Sequence, residues 1–340
     1  MVKINIESMK KIVSILLMLI CITNTYAQEK LHFNENGKFK IVQFTDIHYK
    51  CGSEESAKSI RMMKEVLDNE KPDLVAFTGD IVTDTPAKNG WDEVLAPVIS
   101  KKIPYAIVLG NHDDEHDWTR RQIMDYVISK PYCYAQTGPA YLTGEGNYVL
   151  EIKNTQEKTG AILYFMDSNA YNKVGEQKGY NWFGFDQVEW YRNNSSFFTR
   201  ENNGKPYPAL AFFHIPLQEY TLLPDTTKNY VKNAPVFGNR TEKECPGIIN
   251  TGMFAAMIEG GDVMGTFTGH DHDNDYIGYL NGICLAYGRF SGSKTTYTSL
   301  GYGARVIELT DNERVFNTWI HSSDNNILYN VKYPDSFVGK

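Results

Sequence analysis

Cysteine is scarce in this chain of 340 residues, which contains five cysteines. They are widely spaced, at Cys21, Cys51, Cys133, Cys245 and Cys284. Zinc ribbons and small disulfide scaffolds need cysteines at short, regular spacings, so this spacing predicts neither. Any metal chemistry in the chain therefore has to use other side chains.

Several common enzyme motifs are also missing. The sequence has no G-x-S-x-G segment, which excludes the nucleophile elbow of α/β-hydrolases. Residues 292–295 read Gly-Ser-Lys-Thr but lack the spacing of a phosphate-binding Walker loop. Positive charge is in deficit, with 34 Lys and Arg against 41 Asp and Glu. Because an acidic chain is a poor non-specific partner for nucleic acid, we expect no stable nucleic-acid binding.

The N-terminal apolar run is short. Residues 12–22 follow Lys10 and Lys11, and the small residues Thr25 and Ala27 follow the run. This pattern predicts a signal peptide over residues 1–27 and export to the periplasm or the medium. The run is well below the ~20 residues that span a bilayer, so we expect no membrane span after cleavage. A membrane anchor, or a lipid anchor at Cys21, is the alternative.

Cleavage would make the mature chain more acidic. It removes three lysines and one glutamate from a chain of net charge −7, which leaves −9. We expect residues 28–340 to form one domain.

Polar side chains that can bind metal follow five apolar runs. The pairs of run and side chain are 39–44 with Asp46 and His48, 74–77 with Asp80, 105–109 with Asn111 and His112, 209–213 with His214, and 263–267 with His270 and His272. Carboxylate, amide and imidazole groups suit divalent ions, and a carboxylate can bridge two of them. The pattern predicts a two-metal hydrolytic site with Asp80 as the bridge. Two aspartates against two divalent ions leave the site positive, so it would attract phosphate.

Periodicity gives a matching fold class. The first part of the chain reads as a β-α-β-α-β run, which implies parallel strands with right-handed crossovers. Its second helix contains Pro97, where we expect a kink or a late start. Residues 216–248 show no periodicity, and a loop of that length is usually functional. Residues 275–321 read as short strands. Together these features predict an α/β fold with two facing sheets and helices outside.

The order of these motifs resembles that of calcineurin-like metallophosphoesterases. The matching segments are Asp46-Ile47-His48, Gly79-Asp80, Gly110-Asn111-His112-Asp113, His214 and Gly269-His270-Asp271-His272, within about residues 38–290. The resemblance implies a four-layer α-β-β-α sandwich of two mixed sheets with a dinuclear site between them.

The same resemblance implies roles for individual residues. One metal would bind Asp46, His48, Asp80 and His272, and the other would bind Asp80, Asn111, His214 and His270. His112 would contact the substrate phosphate or protonate the leaving oxygen, and Asp113 would orient His112. The implied reaction is in-line attack on phosphorus by a metal-bridging hydroxide.

Within this family the chain looks similar to the purple-acid-phosphatase-like branch. One departure is Thr83, which stands where true purple acid phosphatases have a tyrosine three residues after the bridging aspartate. We therefore expect two divalent ions, Mn, Fe, Zn or Ca, and no purple colour. The expected substrate is a phosphorylated small molecule, either a monoester or a diester. A non-catalytic binding protein that keeps the fold is the alternative.

Arg120 and Arg289 are candidates to clamp the phosphate. The alternative for each is an ordinary salt bridge.

Overall fold

Two β-sheets hold the proposed site residues. The computed structural model describes residues 29–224 and 235–338, so the predicted signal peptide lies outside the described residues. Residues from Leu31 onwards belong to one compact unit. Among the described residues, no helix is both long enough and apolar enough to cross a bilayer.

The helices and strands alternate through the first half of the chain and give way to strands at the end. The strands are β1 (Leu31–His32), β2 (Lys38–Phe44), β3 (Leu74–Thr78), β4 (Tyr105–Val108), β5 (Tyr148–Lys153), β6 (Thr159–Phe165), β7 (Ala209–Phe212), β8 (Val263–Thr268), β9 (Ile277–Leu280), β10 (Ile283–Tyr287), β11 (Gly303–Thr310), β12 (Phe316–Ser322) and β13 (Ile327–Tyr333). The helices are α1 (Glu54–Glu70), α2 (Ala87–Ser100), α3 (Arg120–Ile128), α4 (Phe185–Glu201) and α5 (Met253–Gly260), with a 3-10 turn at Gln218–Leu222.

Within the described part of the chain, the strands form a six-stranded and a seven-stranded sheet. The six-stranded sheet has the order β13-β12-β11-β2-β3-β4, and the seven-stranded sheet has the order β1-β5-β6-β7-β8-β10-β9. Strands β2, β3 and β4 are parallel, as are β6, β7, β8 and β10, while the outer pairs are mostly antiparallel. Both sheets are therefore mixed, as predicted.

Strand register brings the ligand-bearing ends level. In one sheet Phe44 pairs with Phe77, and Phe77 pairs with Ile107. In the other, Phe212 of β7 pairs with Phe267 of β8. Since the carboxyl ends of neighbouring parallel strands share one edge, the residues that follow each strand meet at that edge.

Aromatic side chains join the two sheets. The rings of Phe165, Phe212 and Phe267 stack across the seven-stranded sheet at 4.9 and 5.5 Å. The ring of Phe267 meets Phe316 of the six-stranded sheet at 5.8 Å. Burial of large aromatic rings stabilises a fold by roughly 1.5–3 kcal/mol each. This contact fixes one sheet against the other and hence the two halves of the site.

Helices cover the outer faces, which completes the four predicted layers. Side chains of α4 and α5, such as Tyr191 and Met257, pack on the outward face of the seven-stranded sheet. Helix α1 packs against β11 of the other sheet. Ser53 caps α1 as its sequence position indicates, since its hydroxyl accepts the N–H of Ser56. Helix α2 begins at Ala87 and has Pro97 in its last turn.

Candidate metal centre

Three buried ligand residues converge where β2 and β8 end. Asp46 and His48 follow β2, and His272 follows β8. The Nε2 atoms of His48 and His272 are 3.1 Å apart, and Nε2 of His272 is 3.5 Å from Oδ1 of Asp46. Their ligand atoms all lie within 4.8 Å of one another, so they can share one metal ion. We call these three residues the first ligand group.

Asp80, His214 and His270 form a second ligand group with the same spacing. They follow β3, β7 and β8, and all are buried. Nε2 of His214 lies 3.1 Å from Oδ2 of Asp80. The structure therefore sorts these six residues into the two groups that the family resemblance implies.

Unsatisfied polar atoms support metal binding at the second group. Among the buried side-chain atoms that have no hydrogen-bond partner in residues 29–224 and 235–338 are Oδ1 of Asn111, Nε2 of His214 and Nε2 of His270. Buried polar atoms nearly always have a partner, so unsatisfied lone pairs on neighbouring strand ends indicate a ligand that the protein itself does not supply. An amide oxygen and two imidazole nitrogens are donors that fit a divalent transition-metal ion.

Asp80 stands between the two groups. Its Oδ2 atom lies 3.1 Å from Nε2 of His214 in the second group and 3.8 Å from Nε2 of His48 in the first. Its Oδ1 atom accepts the backbone N–H of His112 at 2.7 Å. A single oxygen thus faces both groups, while the backbone holds the other oxygen in place. This arrangement suits a carboxylate that bridges two ions.

The strand ends have the unusual backbone that such convergence requires. Several ligands have positive φ angles: Asp46 (52°), His48 (45°), Asp80 (51°) and His270 (84°). Non-glycine residues rarely adopt this conformation, and clusters of it are typical of functional sites. Two glycines let the loops approach. A Cβ atom at Gly110 would lie 2.1 Å from Oδ1 of Asp80, and one at Gly79 would lie 2.5 Å from Nδ1 of His214.

Backbone carbonyls fix the orientation of two imidazole rings. Nδ1–H of His214 donates to the carbonyl oxygen of Thr78 at 2.8 Å, and Nδ1–H of His272 donates to that of Tyr297 at 3.0 Å. In each ring the second nitrogen, Nε2, then faces the ligand group. Such outer hydrogen bonds commonly orient metal-binding histidines.

The electrostatics suit cation binding. Burial lowers the pKa of His48 to about 4 and that of His270 to about 3, so both rings are neutral ligands at neutral pH. Burial alone would also lower the pKa of His214, but the charges of Asp80 and Asp46 raise it to about 9. The negative charges of Asp80 and Asp46 therefore favour a positive charge at the second ligand group.

His112 lies at the mouth of the site, with 37% of its side chain exposed. Its ring centroid is 5.6 Å from that of His48. Its Nδ1 atom is 2.6 Å from Oε2 of Glu115. The expectation that Asp113 orients His112 needs correction, because Glu115 makes that hydrogen bond.

Asp113 instead holds two loops together. Its carboxylate accepts backbone N–H groups of Gly110, Asp80, Ile81 and Val82 at 2.7–3.1 Å. It is buried beneath the loop that carries Asp80. Its place is structural: it fixes the bridging ligand from behind.

The two arginines predicted as phosphate clamps are engaged in ion pairs. Arg120 binds both carboxylate oxygens of Asp167 and also contacts Asp114 at 3.0 Å. Arg289 is buried and pairs with Asp275. The salt-bridge alternative therefore describes both arginines, and the structure does not support the clamp role.

Several side chains at the mouth escape sequence reasoning. The hydroxyl of Tyr171 bonds Asn111 and Glu115. The ring of Tyr180 meets His270 edge-on at 4.3 Å, and that of Tyr297 stacks on His272 at 4.4 Å. These tyrosines come from irregular loops, so periodicity gives no signal for them.

The long non-periodic segment lies partly outside the described residues, since residues 225–234 are not among them. Its later part packs behind the ligands. The backbone N–H of Cys245 donates to Asp271, and that of Thr241 donates to Asn274. The segment thus supports the loop that carries His270 and His272.

Comparison with known proteins agrees with this geometry. The model of the calcineurin-like phosphoesterase family matches residues 39–274. The chain belongs to that family. A relative named "Probable inactive purple acid phosphatase 29", from Arabidopsis thaliana, is 35% identical over 87% of this chain and 82% of its own length. The phosphatase DCR2 of Saccharomyces cerevisiae is 34% identical over 86% of this chain and 55% of its own length.

Two solved phosphatase structures share the fold of this chain. A dimetal phosphatase from Danio rerio superposes with a TM-score of 0.59 at 12% identity, over 86% of this chain and 98% of the other. A purple acid phosphatase from yellow lupin seeds gives a TM-score of 0.54 at 14% identity, over 88% of this chain and 54% of the other. At such identities the likeness concerns the fold alone. The two Asp/His groups fit the dinuclear metal centre of the calcineurin-like phosphoesterases.

Proposed function

We propose that this calcineurin-like phosphoesterase is an active hydrolase of small phosphoric esters that uses two divalent metal ions. The observation that carries the proposal is the pair of ligand groups joined by Oδ2 of Asp80, with the unsatisfied atoms of Asn111, His214 and His270 beside it. A protein that only binds phosphate has no need for a bridging carboxylate and a half-exposed imidazole next to it.

The metals and the side chains would have separate tasks. Two bound divalent ions would supply an activated water and would neutralise charge on the phosphoryl oxygens. Because Nδ1–H of His112 is bonded to Glu115, the proton that a general acid donates would be the one on Nε2 of the doubly protonated ring. From the mouth of the site this proton can pass to the leaving oxygen of the ester. Asp113 would keep Asp80 in register through the backbone.

The rival is a binding protein without catalytic activity. Some relatives are named "probable inactive" purple acid phosphatases, which describes those proteins. This chain has carboxylate, imidazole and amide ligands at every position that the two metals need. Sequence and geometry together therefore favour catalysis here.

A panel assay tests the proposal. Protein stripped of metal would be supplied in turn with Mn, Fe, Zn or Ca and given alkyl and aryl phosphate monoesters and diesters. We expect turnover of at least one ester class with at least one of these ions, and none without metal. Two bound equivalents of metal with no turnover of any ester would support the binding role instead. Since Thr83 replaces the tyrosine of true purple acid phosphatases, the active protein should not be purple.

We also propose that the protein acts after export, in the periplasm or outside the cell, on phosphorylated small molecules. The support is the charged head and short apolar run of residues 1–27. Mass spectrometry of the exported fraction should find a mature chain that begins near Gln28. An intact segment 1–27 in that fraction would contradict cleavage.

A further inference from the structure

Three hydrogen bonds connect a proposed metal ligand to the proposed proton donor. Nδ2 of Asn111 lies 3.1 Å from the hydroxyl of Tyr171. That hydroxyl lies 2.9 Å from Oε1 of Glu115, and Oε2 of Glu115 lies 2.6 Å from Nδ1 of His112. The chain of contacts runs from one side of the mouth to the other.

The donors and acceptors in this chain admit one consistent assignment. The amide nitrogen of Asn111 can only donate, so the Tyr171 oxygen accepts there and its O–H points to Glu115. A carboxylate can only accept, so the ring nitrogen of His112 that faces it carries a proton. Glu115 thus receives one donor on each oxygen.

This assignment determines which atom of Asn111 faces the metal site and which atom of His112 faces the substrate. With its Nδ2 bound to Tyr171, Asn111 turns Oδ1 away, and that oxygen is the buried atom with no hydrogen-bond partner among the described residues. With its Nδ1 bound to Glu115, His112 presents Nε2 to the substrate side.

The exposure of these side chains indicates that their hydrogen bonds are not there to stabilise the fold. About 40% of the Glu115 side chain and 38% of Tyr171 are exposed, and the His112 side chain is 37% exposed. Hydrogen bonds at such exposure contribute little to stability, because water competes for the same groups. What they can do is select one side-chain orientation out of several.

We propose that Glu115 and Tyr171 are positioning residues that fix Asn111 Oδ1 for the second metal and His112 Nε2 for the leaving group. This inference rests on the proposed function for its catalytic half. Its metal-binding half concerns the ligand orientation alone.

The role needs a carboxylate at position 115. An amide has one accepting oxygen, so Glu115→Gln leaves either His112 or Tyr171 facing an N–H group. The His112 ring would then flip its tautomer or turn away, and the Tyr171 hydroxyl would lose its fixed direction. Tyr171→Phe removes the hydroxyl contacts with Asn111 and with Glu115 but leaves the bond between Glu115 and His112.

The test compares these two variants with matched controls. Glu65 and Tyr141 are exposed residues away from the ligand groups, and Tyr141 has 77% of its surface exposed. Glu65→Gln and Tyr141→Phe therefore control for the loss of one carboxylate and one hydroxyl. The readouts are metal affinity, turnover of a matched alkyl and aryl ester, and the ¹⁵N NMR tautomer signature of His112 in metal-free protein.

We expect different patterns from the two variants. Glu115→Gln should lose about 10–100-fold in turnover of the alkyl ester and less for the aryl ester, and should change the His112 tautomer. Tyr171→Phe should weaken binding of one metal equivalent by roughly tenfold and keep the wild-type ratio of alkyl to aryl turnover. Both variants should unfold at the same temperature as the controls.

Other results would overturn the inference. Metal affinity, ester ratio and tautomer equal to those of the controls would remove the positioning role, and so would equal losses on both esters in Glu115→Gln. If wild-type protein with two metals turns over no ester, the proposed function fails by itself. The metal affinity of Tyr171→Phe and the tautomer signature of Glu115→Gln then still decide whether the network positions Asn111 and His112.

Discussion

The Nε2 atoms of His48 and His272 face each other at 3.1 Å in the first ligand group. The Nδ1–H of His272 is already bonded to the backbone of Tyr297, so Nε2 is the ring nitrogen that faces the ligand group. Burial keeps the pKa of His48 low, and its ring is neutral at neutral pH. The imidazole nitrogens of His48 and His272 and the carboxylate of Asp46 thus offer three ligands for one metal ion.

The role of Asp80 as the bridge predicts how metal content responds to substitution. Asp80→Ala should remove both ions, because it takes the shared oxygen from both groups. His48→Ala should mainly weaken one ion. Metal analysis after dialysis measures both effects, and two full equivalents in Asp80→Ala protein would show that another group bridges the ions.

The contacts of Asp113 predict that its substitution lowers the free energy of unfolding and does not remove a proton donor. Asp113→Ala leaves buried backbone N–H groups of Asp80, Ile81, Val82 and Gly110 without their acceptor. Each such loss costs about 1–3 kcal/mol, so the free energy of unfolding should fall by roughly 3 kcal/mol or more. Denaturant unfolding of metal-free protein measures it.

An exposed aspartate provides the control for that experiment. Asp68 pairs with Lys101, and 65% of its side chain is exposed. Asp68→Ala should change the free energy of unfolding by less than about 1 kcal/mol. A similarly small change in Asp113→Ala would mean that the loops hold Asp80 without this carboxylate.

The contacts of His321, which is not one of the ligand residues, predict that the stability of the fold depends on pH. Its Nδ1 lies 2.7 Å from Oε1 of Glu70, which also accepts the indole N–H of Trp319 at 3.0 Å. The other oxygen of Glu70, Oε2, pairs with Lys40 at 3.2 Å. The hydrogen bond to Glu70 raises the pKa of His321. Although burial raises the pKa of Glu70, the hydrogen bonds from His321 and Trp319 hold it below its usual range. The second nitrogen of His321 lies 3.2 Å from Asn325.

The directions of these two pKa shifts define the pH range in which His321 and Glu70 stabilise the fold. A raised histidine pKa stabilises the fold below the unfolded value of about 6.5, and this contribution is lost as pH rises past the folded value. A lowered glutamate pKa stabilises above about 4.3 and is lost as pH falls. His321→Gln should therefore lose more stability near pH 5.5 than near pH 8.5. An equal loss at both values would contradict the ion pair, and His32→Gln, at a half-exposed site, is the control.

His112 separates chemistry from binding. If Nε2 of His112 protonates the leaving oxygen, His112→Ala should keep both metals and lose about 10²–10⁴-fold in turnover. The loss should be largest for alkyl esters, whose leaving groups need a proton, and smaller for activated aryl esters. Turnover of a matched alkyl and aryl pair measures this, and equal losses would rule out the general-acid role.

The ligand residues are readable from the sequence because each follows an apolar run directly. Parallel strands that end in register bring such residues together whatever the loops do, as Asp46 and Asp80 show. The two sheets and the helical layers follow from the same periodicity. Strand β13 cannot be predicted in this way, because most of its side chains are exposed and its pairing with β12 contains a bulge.

The partners of the ligands are not readable in this way. Asp113 and Glu115 are both acidic and both close to His112 in sequence, and only the turn decides which one reaches the ring. Tyr171 lies 60 residues from Asn111, on a loop without periodicity. The sequence makes Arg120 a candidate phosphate clamp, but in the structure its guanidinium is bound to Asp167. Loop geometry decides each of these contacts, and the residue pattern carries no information about it.

The central claim is that both ligand groups act together in catalysis, and a metal titration tests it most directly. Metal-free protein would be titrated with the ion that gives the highest turnover, and bound equivalents and turnover would be measured on the same samples. Turnover should rise with the second equivalent, because one oxygen of Asp80 faces both ligand groups. Full turnover with a single bound equivalent would contradict it.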